Sequence, residues 1–323
     1  MNHASFLLSH VNNICTMKKE NFILRSESDG LKISCLMVHP EGKPKALLQI
    51  AHGMCGCKER FLPFMEYMAS KGIACVANDH RGHGESILTA EDLGYMYDGG
   101  YEALVSDMRM VFEFVSYSYP TAPFYLLGHS MGSLASLLYS REWPESLAGV
   151  ILSGIPYYEP TFFHPYALLK YLCDSGYGRV RLSRLQNIGS ARYNYRFADE
   201  GNMAWVCSDP DVRKELLSNP NCNFTFTLNG YMNLTGMLKK VYSSDSWVNA
   251  SLPEHILMLS GADDPCTSYG RSLDIIALLM NNYCLKDINV ARHTYPKMRH
   301  ELLNEINKEQ VWNDILKFLN SVK

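Results

Sequence analysis

Apolar residues along this chain fall into two rhythms that alternate over most of its length. Residues 21–26 (NFILRS) and 31–38 (LKISCLMV) flank Ser28-Asp29-Gly30, which predicts an antiparallel hairpin. Residues 46–51 (ALLQIA) form a short, mostly apolar run ending at His52-Gly53, which predicts a buried strand. Residues 73–77 (IACVA), ending at Asn78-Asp79, predict another. Between them, 61–69 spaces its apolar residues as a helix does. Residues 101–117 set Leu104, Met108, Val111, Phe112 and Val115 on one helical face. A strand at 124–127 stops at Gly128, a helix at 134–139 stops before Pro144, and a strand follows at 149–152. Strands that alternate with helices pair in parallel, so the pattern predicts an α/β fold with a mostly parallel sheet covered on both faces.

The rhythm then breaks. Residues 156–250 hold no short buried strand but show helical pieces at 165–173, 211–217 and 228–241. Alternation resumes with a strand at 256–259, a helix at 271–281, a strand at 290–295 and a last helix at 308–319. The expected organisation is one α/β domain built from 18–155 and 251–323, interrupted by a mostly helical insert at 156–250 and preceded by an extension at 1–17. The insert is aromatic: 16 of its 95 residues are Phe, Tyr or Trp, against 11% of the whole chain. Large rings let a small subdomain build its own core, and some could also line a lipophilic pocket.

Composition narrows the function. The 323 residues are 47% apolar and 20% charged, too apolar for a disordered chain. A net charge of −3 and a pI near 6.4 argue against a nucleic-acid binder driven by a basic footprint. No stretch reaches the roughly 18 apolar residues of a membrane helix. Residues 1–17 hold only the short run Phe6-Leu7-Leu8 and lack the form of a signal peptide. A cytoplasmic protein with unpaired thiols is expected, and Cys35, Cys75 and Cys173 sit in apolar runs as small hydrophobes do. His80-Arg81-Gly82-His83 has the spacing of a metal pair but no third ligand accompanies it. Neither a dinucleotide fingerprint nor a P-loop occurs. No metal and no cofactor are expected.

The candidate chemistry gathers at one edge of the predicted sheet. Gly128-His129-Ser130-Met131-Gly132 matches G-x-S-x-G, with a buried strand before it and an apolar helix after it. That is the setting of a nucleophile elbow, a strained turn that exposes the serine hydroxyl. A hydroxyl is a weak nucleophile until a base takes its proton. His300 follows the last predicted strand, at the same C-terminal edge. A carboxylate must hold that base in one tautomer. Asp263 and Asp264 follow the strand at 256–259, and being adjacent only one of them can face His300. Spacing alone leaves both open. The oxyanion of the tetrahedral intermediate needs two N–H donors: Met131, after the nucleophile, and Met54, in the loop after the strand at 46–51.

With these residues in view, the sequence resembles the monoacylglycerol lipase and lysophospholipase group of the α/β-hydrolase superfamily. The resemblance rests on His52-Gly53-Met54, Asp79-His80-Arg81-Gly82-His83-Gly84-Glu85-Ser86, Gly128-His129-Ser130-Met131-Gly132, Gly261-Ala262-Asp263-Asp264-Pro265 and Arg299-His300-Glu301-Leu302-Leu303-Asn304-Glu305. It covers about residues 20–323, insert included, where Ser208-Asp209-Pro210-Asp211 and Asn219-Pro220-Asn221-Cys222 echo the family. The resemblance implies an α/β-hydrolase fold in which 156–250 is a cap. Its Gly-x-x-Asp spacing selects Asp264 over Asp263, and it places the Met54 N–H in the oxyanion hole. The stretch Met54-Cys55-Gly56-Cys57 departs from the Gly-Glu-His-like stretch of many relatives, which alters the alcohol-side pocket. Cys55, Cys57 and Cys266 would lie near the site, as inert packing thiols or as targets of thiol reagents.

What the resemblance implies is a serine carboxylic-ester hydrolase acting on monoacylglycerols or lysophospholipids through an acyl-enzyme, with no cofactor. The residues by themselves support an ester with an apolar acyl group. A thioesterase or serine aminopeptidase can use the same triad, and a hydrolase-fold protein that senses a ligand with little turnover is the reading from another class. The expected partner is a small lipid ester. The cap could touch a membrane surface transiently, and no nucleic acid is expected.

Overall fold

The computed structural model describes residues 17–158, 166–285 and 288–322. The expected extension, save Met17, lies outside the described residues. Eight strands form one sheet: β1 (Lys18–Arg25), β2 (Lys32–His39), β3 (Ala46–Ala51), β4 (Ile73–Asn78), β5 (Phe124–His129), β6 (Gly149–Ser153), β7 (His255–Gly261) and β8 (Asn289–Tyr295), in the order β1-β2-β4-β3-β5-β6-β7-β8. The β1–β2 and β2–β4 pairs are antiparallel and every later pair is parallel. The predicted hairpin at 21–38 is therefore the antiparallel start of an otherwise parallel sheet.

Helices α1 (Leu62–Ser70), α2 (Gly100–Ser118) and α3 (Met131–Glu142) connect successive strands. Between β6 and β7 come α4 (Tyr166–Leu172), α5 (Ser183–Asn194), α6 (Pro210–Ser218) and α7 (Leu228–Tyr242). α8 (Arg271–Tyr283) and α9 (Lys308–Ser321) complete the chain. Alternate side chains of each central strand enter opposite layers. Leu47 and Ala51 of β3 pack with α2, α3 and α8, whereas Ala46, Leu48 and Ile50 pack with α1 and α9. The strands are buried on both faces, which is why they read as short apolar runs rather than as alternation. Each fully buried aliphatic side chain contributes about 1.5–3 kcal/mol, so the two layers fix the sheet and the sheet fixes its edge.

The sequence missed α5. Among the described side chains of SRLQNIGSARYN none is buried, so no buried 3.6-residue apolar stripe marks it. The helix expected at 165–173 is α4, extended by a wide turn over Cys173–Tyr177. α7 packs against α4 of its own segment and also against α2 and α3, placing Met237, Leu238 and Val241 in the main core.

Strands β3 and β5 are neighbours, and the chain leaves them toward opposite sides, to β4 and to β6. In a parallel sheet such a reversal opens a crevice at the carboxyl ends of the strands. The loops after β3, β5, β7 and β8 all emerge at that edge.

Candidate active site

Ser130 occupies the single residue between β5 and α3, with φ 53° and ψ −119°. That backbone conformation costs a non-glycine residue about 1–3 kcal/mol and persists only where its surroundings fix it. They do: Ser130 N–H donates to Ser153 O at 2.9 Å, and Ser133 N–H donates to Ser130 O at 2.8 Å. Close packing completes the turn. A Cβ on Gly132 would stand 2.1 Å from the Ala51 carbonyl oxygen, so only glycine lets the start of α3 press against the end of β3. A Cβ on Gly53 would lie 3.0 Å from Ser130 Cβ, which puts the loop after β3 in contact with the serine.

His300 joins two partners. Its Nε2 lies 2.8 Å from Ser130 Oγ and its Nδ1 lies 2.9 Å from Asp264 Oδ2. Asp264, fully buried, also accepts the Cys266 N–H at 2.8 Å on Oδ1, which pins the carboxylate. Of the two candidate aspartates, Asp264 faces His300, while the Asp263 N–H binds Met298 O at 3.0 Å. Burial pushes the His300 imidazole down, but the Asp264 charge and hydrogen bond, with Glu301 adding, outweigh burial and raise it above 6.5. Met131 is the first residue of α3 and is buried, and Met54 is half-buried in the loop beside Ser130, packed on the main core.

The loops themselves are anchored by buried charge. After β3, the carboxylate of Asp79 accepts both the Lys58 N–H and the Lys58 ammonium at 2.8 Å. Glu59 and Glu85 reach the same ammonium, so the cation among these three carboxylates is Lys58. Among the described residues, Asp264, Cys266 and His300 form the other cluster of potential ligands, but Asp264 and His300 are already bonded to each other, and burial raises the Cys266 thiol strongly. Arg60 pairs with Glu301, next to His300. Burial alone would raise the Glu301 carboxyl, yet Arg60, His129 and Asn304 bring it down to about 2. His80 and His83, which have the spacing of a metal pair, pack on His52 with ring centroids 4.1 and 5.0 Å away, the first tilted and the second edge-on. Burial, the largest influence on each, lowers His80 to about 3 and His83 to about 4.

The helical segment between β6 and β7 closes over His300. Arg299 donates to Ala204 O at 2.6 Å and to Glu200 at 2.5 Å, and lies 3.9 Å from the Phe197 ring centre. The Glu301 N–H donates to Val206 O at 2.8 Å, and Glu305 binds Ser208. These bonds set the Trp205 ring 5.3 Å from the His300 ring. Trp205 Nε1 is buried and, among the described residues, has no hydrogen-bond partner. No local sequence signal marks Trp205 among the aromatics of the insert or Arg60 in the loop after β3, because their partners His300 and Glu301 lie far along the chain.

The profile of the family Hydrolase_4, described as serine aminopeptidase, S33, matches residues 42–307. The chain belongs to this α/β-hydrolase family. Monoglyceride lipase of Rattus norvegicus is 33% identical over 128 residues, a stretch that is 39% of this chain and 40% of the relative. Among solved structures, a thermostable carboxyl esterase from Bacillus coagulans superposes with a TM-score of 0.87 at 23% identity, covering 95% of this chain and 99% of that one. A soluble variant of monoglyceride lipase from Saccharomyces cerevisiae gives 0.73 at 17% identity, covering 99% of both chains. At these identities the structures bear on the fold, and they share the α/β-hydrolase fold expected for this Hydrolase_4 chain.

Proposed function

We propose that this protein is a serine hydrolase of lipid-like carboxylic esters, with monoacylglycerols or lysophospholipids as substrates. The observation that carries the reading is His300, hydrogen-bonded at once to a strained serine and to a buried aspartate. The Ser130 oxygen attacks the ester carbonyl as His300 Nε2 takes its proton. Asp264 holds the Nδ1 proton and stabilises the imidazolium. The Met54 and Met131 N–H groups face the developing oxyanion. His300 returns the proton to the leaving alcohol, then activates water to release the acid and restore Ser130. Residues 156–250 act as a cap, with 18–155 and 251–323 as the hydrolase core. The cap's exposed Leu168, Tyr171, Tyr177, Val180, Leu182 and Ile188 would touch a membrane surface that delivers the substrate. Among the described residues no helix is long and apolar enough to cross a membrane. The nine described cysteines are free thiols, which fits a reducing, cytoplasmic setting.

The family description favours a second reading, cleavage of an amino-terminal residue. A peptidase of that kind needs a carboxylate for the substrate's ammonium. Glu301, the carboxylate beside His300, is already paired with Arg60. Monoacylglycerol, lysophospholipid, acyl thioester and aminoacyl amide of matched size should therefore be assayed in parallel. The ester lipids are expected to lead in kcat/KM by about a factor of ten or more, equivalent to about 1.4 kcal/mol. Preference for the amide would overturn the ester reading.

The pH profile has a defined sign. His300 must be neutral to accept the serine proton, and its pKa lies above 6.5. Ester kcat/KM is expected to rise with pH to a midpoint above 6.5 and then level. The same raised value makes protonated His300 a stabilising group below 6.5, a contribution lost as pH climbs through the folded-state pKa. A rate midpoint below 6.5 would contradict the assignment of His300 as base.

A further inference from the structure

A small apolar cluster lies apart from the two main core layers, where the loop after β3 meets the cap. It joins Cys57 to Val206, Cys207, Leu216 and Cys222. Two nearby thiols are committed to backbone carbonyls: Cys55 Sγ donates to Phe224 O at 3.4 Å and Cys207 Sγ to Asn304 O at 3.6 Å. Cys57 and Cys222 instead face one another, with sulfurs 3.9 Å apart across 165 residues of sequence. Cys57 caps the short turn Lys58–Phe61, three residues beyond Met54. Cys222 lies in a turn after α6, where its N–H donates to Asn219 O at 2.9 Å. We propose that Cys57 and Cys222 form a reversible disulfide that clamps the cap onto the oxyanion loop and throttles substrate entry under oxidising conditions.

The two thiols are unequal in a way that suits the exchange. Cys57 is 1% exposed and Cys222 is 6% exposed. The hydrogen bond shared with Cys57, with the nearby Arg60 cation, lowers the Cys222 thiol against the opposing pull of burial, and the same bond raises Cys57. Cys222, the more accessible sulfur and the one beside the Arg60 cation, is assigned as the attacking thiol, with Cys57 as the resolving thiol. The oxidant is a small disulfide such as glutathione disulfide. The Cys222 thiolate attacks one of its sulfurs, the sulfur–sulfur bond breaks, and one glutathione thiolate leaves. Cys57 gives up its proton and attacks the Cys222 sulfur of the mixed disulfide, releasing the second glutathione. Two protein thiols are oxidised and one small disulfide is reduced to two thiols. The sulfurs must approach by about 1.9 Å to reach bonding distance.

The clamp rests on the proposed ester hydrolysis for its effect on rate, but the bond itself is read by mass. The full chain is to be incubated in glutathione buffers of increasing oxidised fraction, alkylated, digested and mapped. Turnover of a long-chain monoacylglycerol and of p-nitrophenyl acetate is measured on the same samples. A linked Cys57–Cys222 peptide is expected, with a mass loss of about 2 Da on the intact chain. Long-chain kcat/KM should fall by about tenfold, the acetate rate by less than about threefold, and thiol reductant should restore both. Cys57→Ala and Cys222→Ala should each retain basal turnover and lose the response. Absence of the linked peptide overturns the site, whatever the ester activity. A linked protein with unchanged long-chain turnover overturns the clamp, and a response that survives in Cys222→Ala overturns the assignment.

Discussion

Ser130→Ala is expected to lower kcat for ester hydrolysis by about 10⁴- to 10⁶-fold with the fold intact. The change removes one oxygen and nothing else. Alanine retains the Cβ that Gly53 and the elbow pack against, and the bonds from Ser130 N–H to Ser153 and from Ser133 N–H to Ser130 O are backbone interactions. The lost contact is the 2.8 Å bond to His300 Nε2 at a half-buried position. Without the hydroxyl no acyl-enzyme can form, so residual rate would come from the positioned water and oxyanion donors alone. Product release from a chromogenic ester, with thermal melting on the same samples, tests both halves. Turnover within tenfold of the parent protein would remove Ser130 as nucleophile.

The second large effect is expected from Asp264→Asn, about 10⁴-fold in kcat. The amide is nearly isosteric, and its oxygen can still accept the Cys266 N–H. Its NH₂ then faces His300 Nδ1, which must become an acceptor. That tautomer carries its proton on Nε2, and the imidazole can no longer receive one from Ser130. The substitution also moves the pH midpoint. Asp264 is the main influence that raises His300, and burial is the influence that lowers it. With the carboxylate gone, burial prevails and the midpoint should drop below the ordinary 6.5. A merely structural role for Asp264 would lower the rate without moving the midpoint downward. Asp263→Asn should change neither quantity, because Asp264 is the aspartate bonded to His300.

The fold was largely legible because its strands are buried on both faces. Ala46–Ala51 and Gly149–Ser153 are short apolar runs bounded by turn residues, and the layers that bury them leave little freedom in where they end. The helices of the core carry apolar stripes for the same reason: Leu104, Met108, Val111 and Val115 of α2 face one layer. α5 was not legible because none of its described side chains is buried, so no apolar stripe marks it. The glycine pattern around Ser130 marked a strained turn, and the turn is there at φ 53°.

The sequence by itself determined the alternation of strand and helix, the interruption after the sixth strand, and the serine, histidine and paired aspartates at one edge of the sheet. These follow from local chemistry: apolar period, glycine spacing and residue type. Only the tertiary structure decided which partners meet. It chose Asp264 by direction of side chain, set Arg60 against Glu301, laid Trp205 on His300, and brought Cys57 to Cys222 across 165 residues. Such contacts join segments far apart in the chain, and their geometry depends on how the helical segment between β6 and β7 seats on the sheet edge. No periodicity within either segment encodes it.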